Sequence, residues 1–171
     1  SVNDSKKLYD ELTATGEYSV EAWVFPANVT QDDSARIVSY SGGSTSRNFT
    51  LGQTLYNYDF LNRSSTTDVD GRPAYSTPDA DESAQAALQH VVLTYHPDRG
   101  RQIYVNGELT RAADPDPQGG GNLSSWDSDF AFVLGNETSG NDAWEGAVRF
   151  VAIHRRALSA EDVTTNYDVG V

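Results

Sequence analysis

The sequence contains no cysteine and no methionine, only two lysines, and no long apolar run. Without cysteine the chain has no disulfide, no thiolate zinc site and no cysteine nucleophile. No stretch of about 18 apolar residues is present, so the sequence predicts no membrane-spanning segment. Because the chain starts at Ser1, without a methionine or a signal sequence, we expect it to be a piece of a longer protein or a processed product.

Basic residues are also scarce, with 12 Lys and Arg against 25 Asp and Glu, and the formal net charge is -13. A field of this sign repels phosphate groups, so we expect neither nucleic acid nor an anionic membrane as a partner. The length of 171 residues suits one domain and is short for two, which predicts a single domain over residues 1–171. The content of 37% hydrophobic and 11% aromatic residues is typical of a folded chain with a core.

Short apolar runs separated by turn residues recur every 8–12 residues or so, a pattern typical of an all-β antiparallel sandwich or jelly roll. We predict strands over residues 18–26, 35–41, 47–53, 55–62, 88–96, 101–105, 108–110, 126–134 and 144–154. Short helices are expected near both ends, over residues 4–12 and from Ser159, which has Asp162 three positions later for a capping box. The polar segments 63–87 and 113–125 are predicted loops.

Several motifs occur in the order and spacing found in bacterial laminin G-like domains. Residues 18–24 (YSVEAWV) resemble the family's "tvEaWv" strand, residues 90–95 (HVVLTY) its "hvalty" strand, residues 103–107 (IYVNG) its "lYvnG", and residues 144–146 with 157–163 its closing motif. The resemblance covers about residues 5–168 and implies the concanavalin A-like jelly roll of two stacked antiparallel sheets. The family often has two acidic residues soon after the glycine of the closing strand, one of them helping to hold calcium, whereas this chain has Arg149 and Phe150 there.

The sequence contains no recognisable catalytic set. β-Glucanases of this fold carry carboxylates at alternate positions of one strand, with the acid and the nucleophile about 5–5.5 Å apart. The nearest pattern here is Asp127 and Asp129 in a predicted strand, without a glutamate beside them. The three histidines lie at strand ends, and no zinc-protease motif, nucleophile elbow or phosphate-binding loop is present. We therefore expect a binding domain rather than an enzyme.

Sugar binding requires aromatic rings for the apolar face of the sugar and planar polar groups for its hydroxyls. The candidate ligand-binding residues lie in loops, at strand ends and in the segment 55–62: Tyr40, Arg47, Tyr56, Tyr58, Arg63, Tyr75 and Trp126. The two arginines have the fork geometry that binds carboxylated or sulfated sugars. Two alternatives stay open, since the row of Tyr56, Tyr58 and Phe60 also fits a core and the arginines can pair with surface acids.

Acidic loop residues suggest calcium as a cofactor. The segment Asp68-Val69-Asp70-Gly71 has the Asp-x-Asp-Gly pattern of a calcium loop, without the spaced glutamate of an EF-hand. Glu137 and Asp142 supply further oxygens from another loop, so these four acids are the candidate metal ligands. The alternative for each is solvation or a turn hydrogen bond.

Together these features predict a non-catalytic, lectin-like module of a larger secreted or cell-surface bacterial protein, with a carbohydrate or glycoconjugate as its partner. Two other classes stay open. One is a protein-interaction or spacer domain of an adhesin, and the other is a glycoside hydrolase with an unrecognised acid pair.

Overall fold

The computed structural model describes residues 5–32, 34–111, 116 and 120–171. Its strands are β1 (Tyr18–Pro26), β2 (Ala35–Gly43), β3 (Ser46–Thr54), β4 (Asn57–Asn62), β5 (Tyr75–Ser76), β6 (Gln89–His96), β7 (Gly100–Val105), β8 (Glu108–Leu109), β9 (Ala131–Leu134) and β10 (Gly146–His154). They form two five-stranded antiparallel sheets, sheet I in the order β10-β1-β6-β7-β8 and sheet II in the order β5-β4-β3-β2-β9. This arrangement confirms the predicted jelly-roll sandwich.

The structure differs from the predicted elements mainly in the loops. β5 and a short 3-10 helix (Asp79–Asp81) lie inside the predicted loop 63–87. Of the predicted strand 126–134, only Ala131–Leu134 is extended, because the side chain of Asp127 accepts a 2.9 Å hydrogen bond from the Asp129 backbone and closes a turn. Helix α1 runs over Lys6–Thr15 and ends at Gly16 in a left-handed conformation, and Asp4 of the predicted helix lies outside the described residues.

Strand β1 shows how side-chain alternation divides the sandwich into an inner and an outer side. Val20, Ala22 and Val24 are fully buried in the core between the sheets. Glu21 and Trp23 therefore point to the other face of sheet I, away from the core. The outer face of this sheet thus carries a polar and an aromatic side chain on β1, next to the edge strand β10.

Helix α2 (Ala160–Val169) packs across that outer face of sheet I. It begins with the predicted capping box, in which the Ser159 hydroxyl accepts from the Asp162 backbone at 3.1 Å and Asp162 accepts from the Ser159 backbone at 2.9 Å. Below it lies a second small core, formed by Val92, Tyr104, Leu158 and Val163. Of the helices in the described part of the chain, none has the length and hydropathy to cross a membrane.

Candidate ligand-binding site

A buried carboxylate lies on the outer face of sheet I, on the strand next to the edge strand β10. Glu21 is 4% exposed, and its Oε1 accepts a 2.8 Å hydrogen bond from Nε2 of His90. Its Oε2 accepts from Nε2 of His154 at 2.8 Å and from Nδ2 of Asn166 at 3.0 Å. Trp23 pairs with His90, and Ser19 pairs with His154, so the two imidazoles flank Glu21 diagonally from the neighbouring strands.

These donors fix the charge of Glu21. Burial alone would raise its pKa, but the hydrogen bonds from His154 and His90 outweigh burial and lower the pKa from 4.5 to about 2. Nδ1 of His90 is buried and has no hydrogen-bond partner among the described residues. We therefore place the ring proton of His90 on Nε2, where it is donated to the carboxylate.

Aromatic rings cover one side of this cluster. The Trp23 ring lies over His90 with 5.0 Å between ring centroids. Tyr167, from the last turn of α2, stacks on Trp23 with 5.9 Å between centroids and an interplanar angle of 12°. Trp23 is therefore only 8% exposed, and it contributes a ring edge rather than a free face.

A pocket of about 490 Å³ opens beside the cluster, between the end of α2 and β10. We call it the α2 pocket. It is lined by Glu21, Trp23, Arg149, Phe150, His154, Asn166, Val169, Gly170 and Val171. Phe150 lies directly opposite Trp23 on β10 and is 41% exposed, so it presents a free aromatic surface. The pocket thus combines an exposed ring with an amide, an imidazole, a carboxylate and a guanidinium.

Five of the seven side chains predicted to bind ligand are buried instead: Tyr40, Arg47, Tyr58, Tyr75 and Trp126. The rings of Tyr40, Tyr58 and Trp126 are part of the core, where Trp126 lies 6.0 Å from Tyr40 between centroids. Tyr75 lies beneath the guanidinium groups of Arg101 and Arg111. Buried rings have no free face for a sugar, so we remove these aromatic residues from the candidate site and assign them to the framework.

Of the other two predicted ligand-binding residues, Tyr56 is 42% exposed in the turn between β3 and β4. Arg63 is half-buried, and its carbonyl accepts a 2.7 Å hydrogen bond from the Trp126 indole. Neither residue lines the α2 pocket. The structure therefore does not bring the predicted sugar-binding residues together into one site.

Arg47 and Asp70, predicted for different roles, pair with each other. Nε of Arg47 donates to Oδ1 of Asp70 at 2.8 Å, and the other carboxylate oxygen accepts from Nε of Arg72 at 2.9 Å. Arg47 is buried, so this pairing also removes its guanidinium from the surface. For Arg47 the structure therefore shows the alternative expected above, in which the arginine pairs with an acidic residue and not with a ligand.

The other predicted calcium ligands are engaged in loop contacts. Asp68 accepts from the backbone of Asp70 at 2.9 Å, and Glu137 accepts from the backbone of Ser139 at 2.9 Å. Asp142 lies 3.4 Å from the Arg36 guanidinium. Across the described ranges, no three His, Asp or Glu side chains group as metal ligands, whereas calcium takes 6–8 oxygens. These four acids therefore do not form a shared calcium site, and calcium binding stays a prediction without a ligand set.

The residues that line the α2 pocket are not predicted from the sequence. Glu21, His90 and His154 lie in three separate segments of the chain, and the sequence predicts no more for the two histidines than positions at strand ends. The available signal was the position of Glu21 and Trp23 on the non-core face of one strand. The pairing register that sets His90 and His154 beside them is visible only in the folded sheet.

The fold of the chain is similar to that of known proteins. No curated protein sequence matches the chain. Among solved structures, the CBM40 module of Ruminococcus gnavus IT-sialidase, bound to α2,3 sialyllactose, superposes with a TM-score of 0.65 at 16% identity over 95% of this chain and 90% of that one. The binding domain of botulinum neurotoxin DC, in complex with rat synaptotagmin II, has a TM-score of 0.63 at 13% identity over 97% of this chain and 38% of that one.

Trypanosoma rangeli sialidase, in complex with 2,3-difluorosialic acid, matches with a TM-score of 0.61 at 18% identity over 91% of this chain. The chain spans only 23% of that enzyme's length. Identities this low show the shared fold. The family described as the concanavalin A-like lectin/glucanases superfamily matches residues 1–164, which confirms the resemblance seen in the motifs. The chain therefore belongs to the concanavalin A-like lectin/glucanases superfamily.

Proposed function

We propose that this chain is a non-catalytic carbohydrate-binding domain and that the α2 pocket is its binding site. The observation that carries the proposal is the combination of an exposed ring, Phe150, with planar polar groups in one cavity of about 490 Å³. A pyranose places its apolar face on an aromatic ring and its hydroxyls against amide, imidazole and carboxylate groups. Phe150 supplies the ring, and His154 and Asn166 supply the polar wall.

The polar wall of the pocket is held rigidly before any ligand arrives. Glu21 is bound by three donors from β6, β10 and α2, so the positions of His154 and Asn166 are tied to one buried carboxylate. A preformed site loses less side-chain freedom when it binds a ligand. A rigid polar wall of this kind favours specific binding of one sugar over non-specific binding of many.

The chemistry of the pocket supports binding rather than hydrolysis. Retaining glycosidases require two carboxyl groups about 5–5.5 Å apart, and inverting enzymes about 6.5–9.5 Å. Among the described residues that line the pocket, Glu21 has the only carboxylate side chain. Its low pKa of about 2 is also unsuited to a general acid, which must carry a proton near neutral pH.

The comparisons support a binding role, and we propose in addition that the chain is one module of a longer secreted or cell-surface protein. The CBM40 module matches along nearly its whole length and is bound to a sialylated sugar, whereas the sialidase matches over less than a quarter of its length. We also propose that calcium assists ligand binding, and the titration with chelator described below measures its effect.

A glycan array followed by titration calorimetry tests the proposal, using the protein, Phe150→Ala and Tyr56→Ala. Both variants remove an exposed ring, but Tyr56 lies in the β3–β4 turn outside the pocket. We expect at least tenfold weaker binding for Phe150→Ala and no change for Tyr56→Ala. Binding lost in the Tyr56 variant alone would move the site to the turn, and a folded protein that binds no glycan would overturn the proposal. Repeating the titration with chelator measures the contribution of calcium.

A protein partner is the second candidate, favoured by a specific feature of the sheet. β10 is an edge strand of sheet I, and the exposed Phe25 and Phe150 rings lie on the face beside that edge. An unpaired edge with exposed rings suits the addition of a partner strand. The neurotoxin domain that shares this fold is in complex with a protein. Absence of glycan binding together with capture of a defined protein, lost in Phe150→Ala, would select this candidate.

A further inference from the structure

A β-bulge in the edge strand β10 places the positively charged side chain of an arginine at the α2 pocket. In the pairing of β1 with β10, Trp23 lies opposite Phe150 and Val24 lies opposite Val148, so Arg149 is an extra residue between them. A bulge redirects the side chain of its extra residue and often lies next to a functional site. Here the redirected residue, Arg149, lines the pocket beside Phe150.

Arg149 is exposed and carries an unused charge. Within the ranges that the structure describes, its side chain makes no hydrogen bond and no ion pair with another residue. This is notable in a chain with 25 acids, where Arg47, Arg101 and Arg155 each pair with a carboxylate. Among the described residues that line the pocket, the only carboxylate side chain is that of Glu21, and it is already bound by His90, His154 and Asn166.

We propose that the α2 pocket selects anionic glycans and that Arg149 binds their carboxylate or sulfate group while Phe150 carries the sugar ring. This inference rests on the proposed function and names its ligand class. A guanidinium pairs with a carboxylate or sulfate through two parallel hydrogen bonds, which a neutral hydroxyl cannot reproduce. The chain as a whole has a net charge of -13 and repels such ligands, so the selectivity depends on this local cation.

The test uses matched glycans on several backbones, each in a neutral, a carboxylated and a sulfated form, against four proteins. These are the parent, Arg149→Gln, Arg149→Lys and Arg155→Gln. Arg155→Gln removes the same charge from an exposed arginine next to the end of β10 that pairs with Glu11, and it controls for net charge. Comparison of the carboxylated and sulfated forms identifies the source of the anion.

We expect the parent to bind the anionic form of its glycan at least tenfold more tightly than the neutral form. Arg149→Gln should bring that ratio close to one, Arg149→Lys should keep part of the ratio, and Arg155→Gln should keep all of it. Equal binding of both forms by the parent, or an unchanged ratio in Arg149→Gln, overturns the inference and leaves carbohydrate binding standing. Absence of binding to every glycan overturns the proposed function and this inference together.

Discussion

Glu21 and His154 are joined by a 2.8 Å hydrogen bond between a carboxylate oxygen and Nε2, and the same oxygen accepts from Asn166 at 3.0 Å. One buried acid therefore links β1 to the edge strand β10 and to the helix above them. Because buried hydrogen bonds of this kind act together, the position of α2 and the shape of the pocket depend on the charge of that carboxylate.

Stability in acid should depend on Glu21. Its pKa in the folded protein, about 2, lies below the ordinary 4.5, so its stabilisation is complete above pH 4.5 and is lost as the pH falls towards 2. We expect Glu21→Gln to lower the free energy of unfolding at pH 7 by on the order of 2 kcal/mol and to flatten its pH dependence between 4.5 and 2. Urea unfolding at a series of pH values measures both, with the exposed Glu108→Gln as control. An unchanged slope in Glu21→Gln would contradict the assignment.

The covering of Trp23 by Tyr167 should be visible in fluorescence. In Tyr167→Ala we expect the emission to shift to longer wavelength, because Trp23 gains solvent exposure while Trp126 and Trp144 stay buried. Loss of the stacked ring should also cost about 1–2 kcal/mol in unfolding. Tyr56→Ala removes an exposed ring elsewhere and should leave the emission unchanged. Emission from Tyr167→Ala that matches the parent would show that α2 does not cover Trp23 in solution.

The ion pair of Arg101 and Asp116 should be a large contributor to stability. Both side chains are buried, with Nε and Oδ2 at 2.7 Å, and the guanidinium also donates to the carbonyl of Pro73 at 2.7 Å. Arg101→Met removes the guanidinium that pairs with this buried carboxylate, so we expect a loss of about 3–5 kcal/mol. Arg155→Met breaks an exposed pair and should cost less than about 1 kcal/mol. Thermal and urea unfolding of the two variants checks the contrast, and equal losses would refute it.

Alanine substitutions at Gly107 and Gly140 distinguish the cost of backbone strain from the cost of a steric clash with α2. Gly107 has φ of 85° in the β7–β8 turn, and a Cβ there would lie 3.1 Å from the Tyr167 ring. Gly140 has φ of 81°, with open space around the same position. Alanine at either site incurs the left-handed penalty of about 1–2 kcal/mol. We expect Gly107→Ala to cost about 1 kcal/mol more than Gly140→Ala, because Tyr167 must move. If urea unfolding gives similar losses of unfolding free energy for the two variants, Tyr167 and α2 can move away from residue 107 at no cost, which would contradict this prediction.

How far the sequence predicts this structure is clear from particular residues. Ser159 and Asp162 form the predicted capping box, since both partners lie within one turn. The pair Asn106 and Gly107 forms a two-residue hairpin turn with positive φ at both positions, as such a dipeptide indicates. By contrast, alternation along residues 55–62 leaves open which face is inner, and the structure buries Tyr58 and exposes Tyr56.

The sequence by itself determined the sandwich fold, the family and the split of β1 into two faces, because side-chain alternation, turn chemistry and capping act over a few neighbouring residues. Only the tertiary structure decided the site. Glu21 lies more than a hundred residues before His154 and Asn166 in the chain. The strand register and the packing of α2 bring the three side chains together. The bulge that delivers Arg149 is likewise a property of two paired strands, which one strand's sequence does not contain.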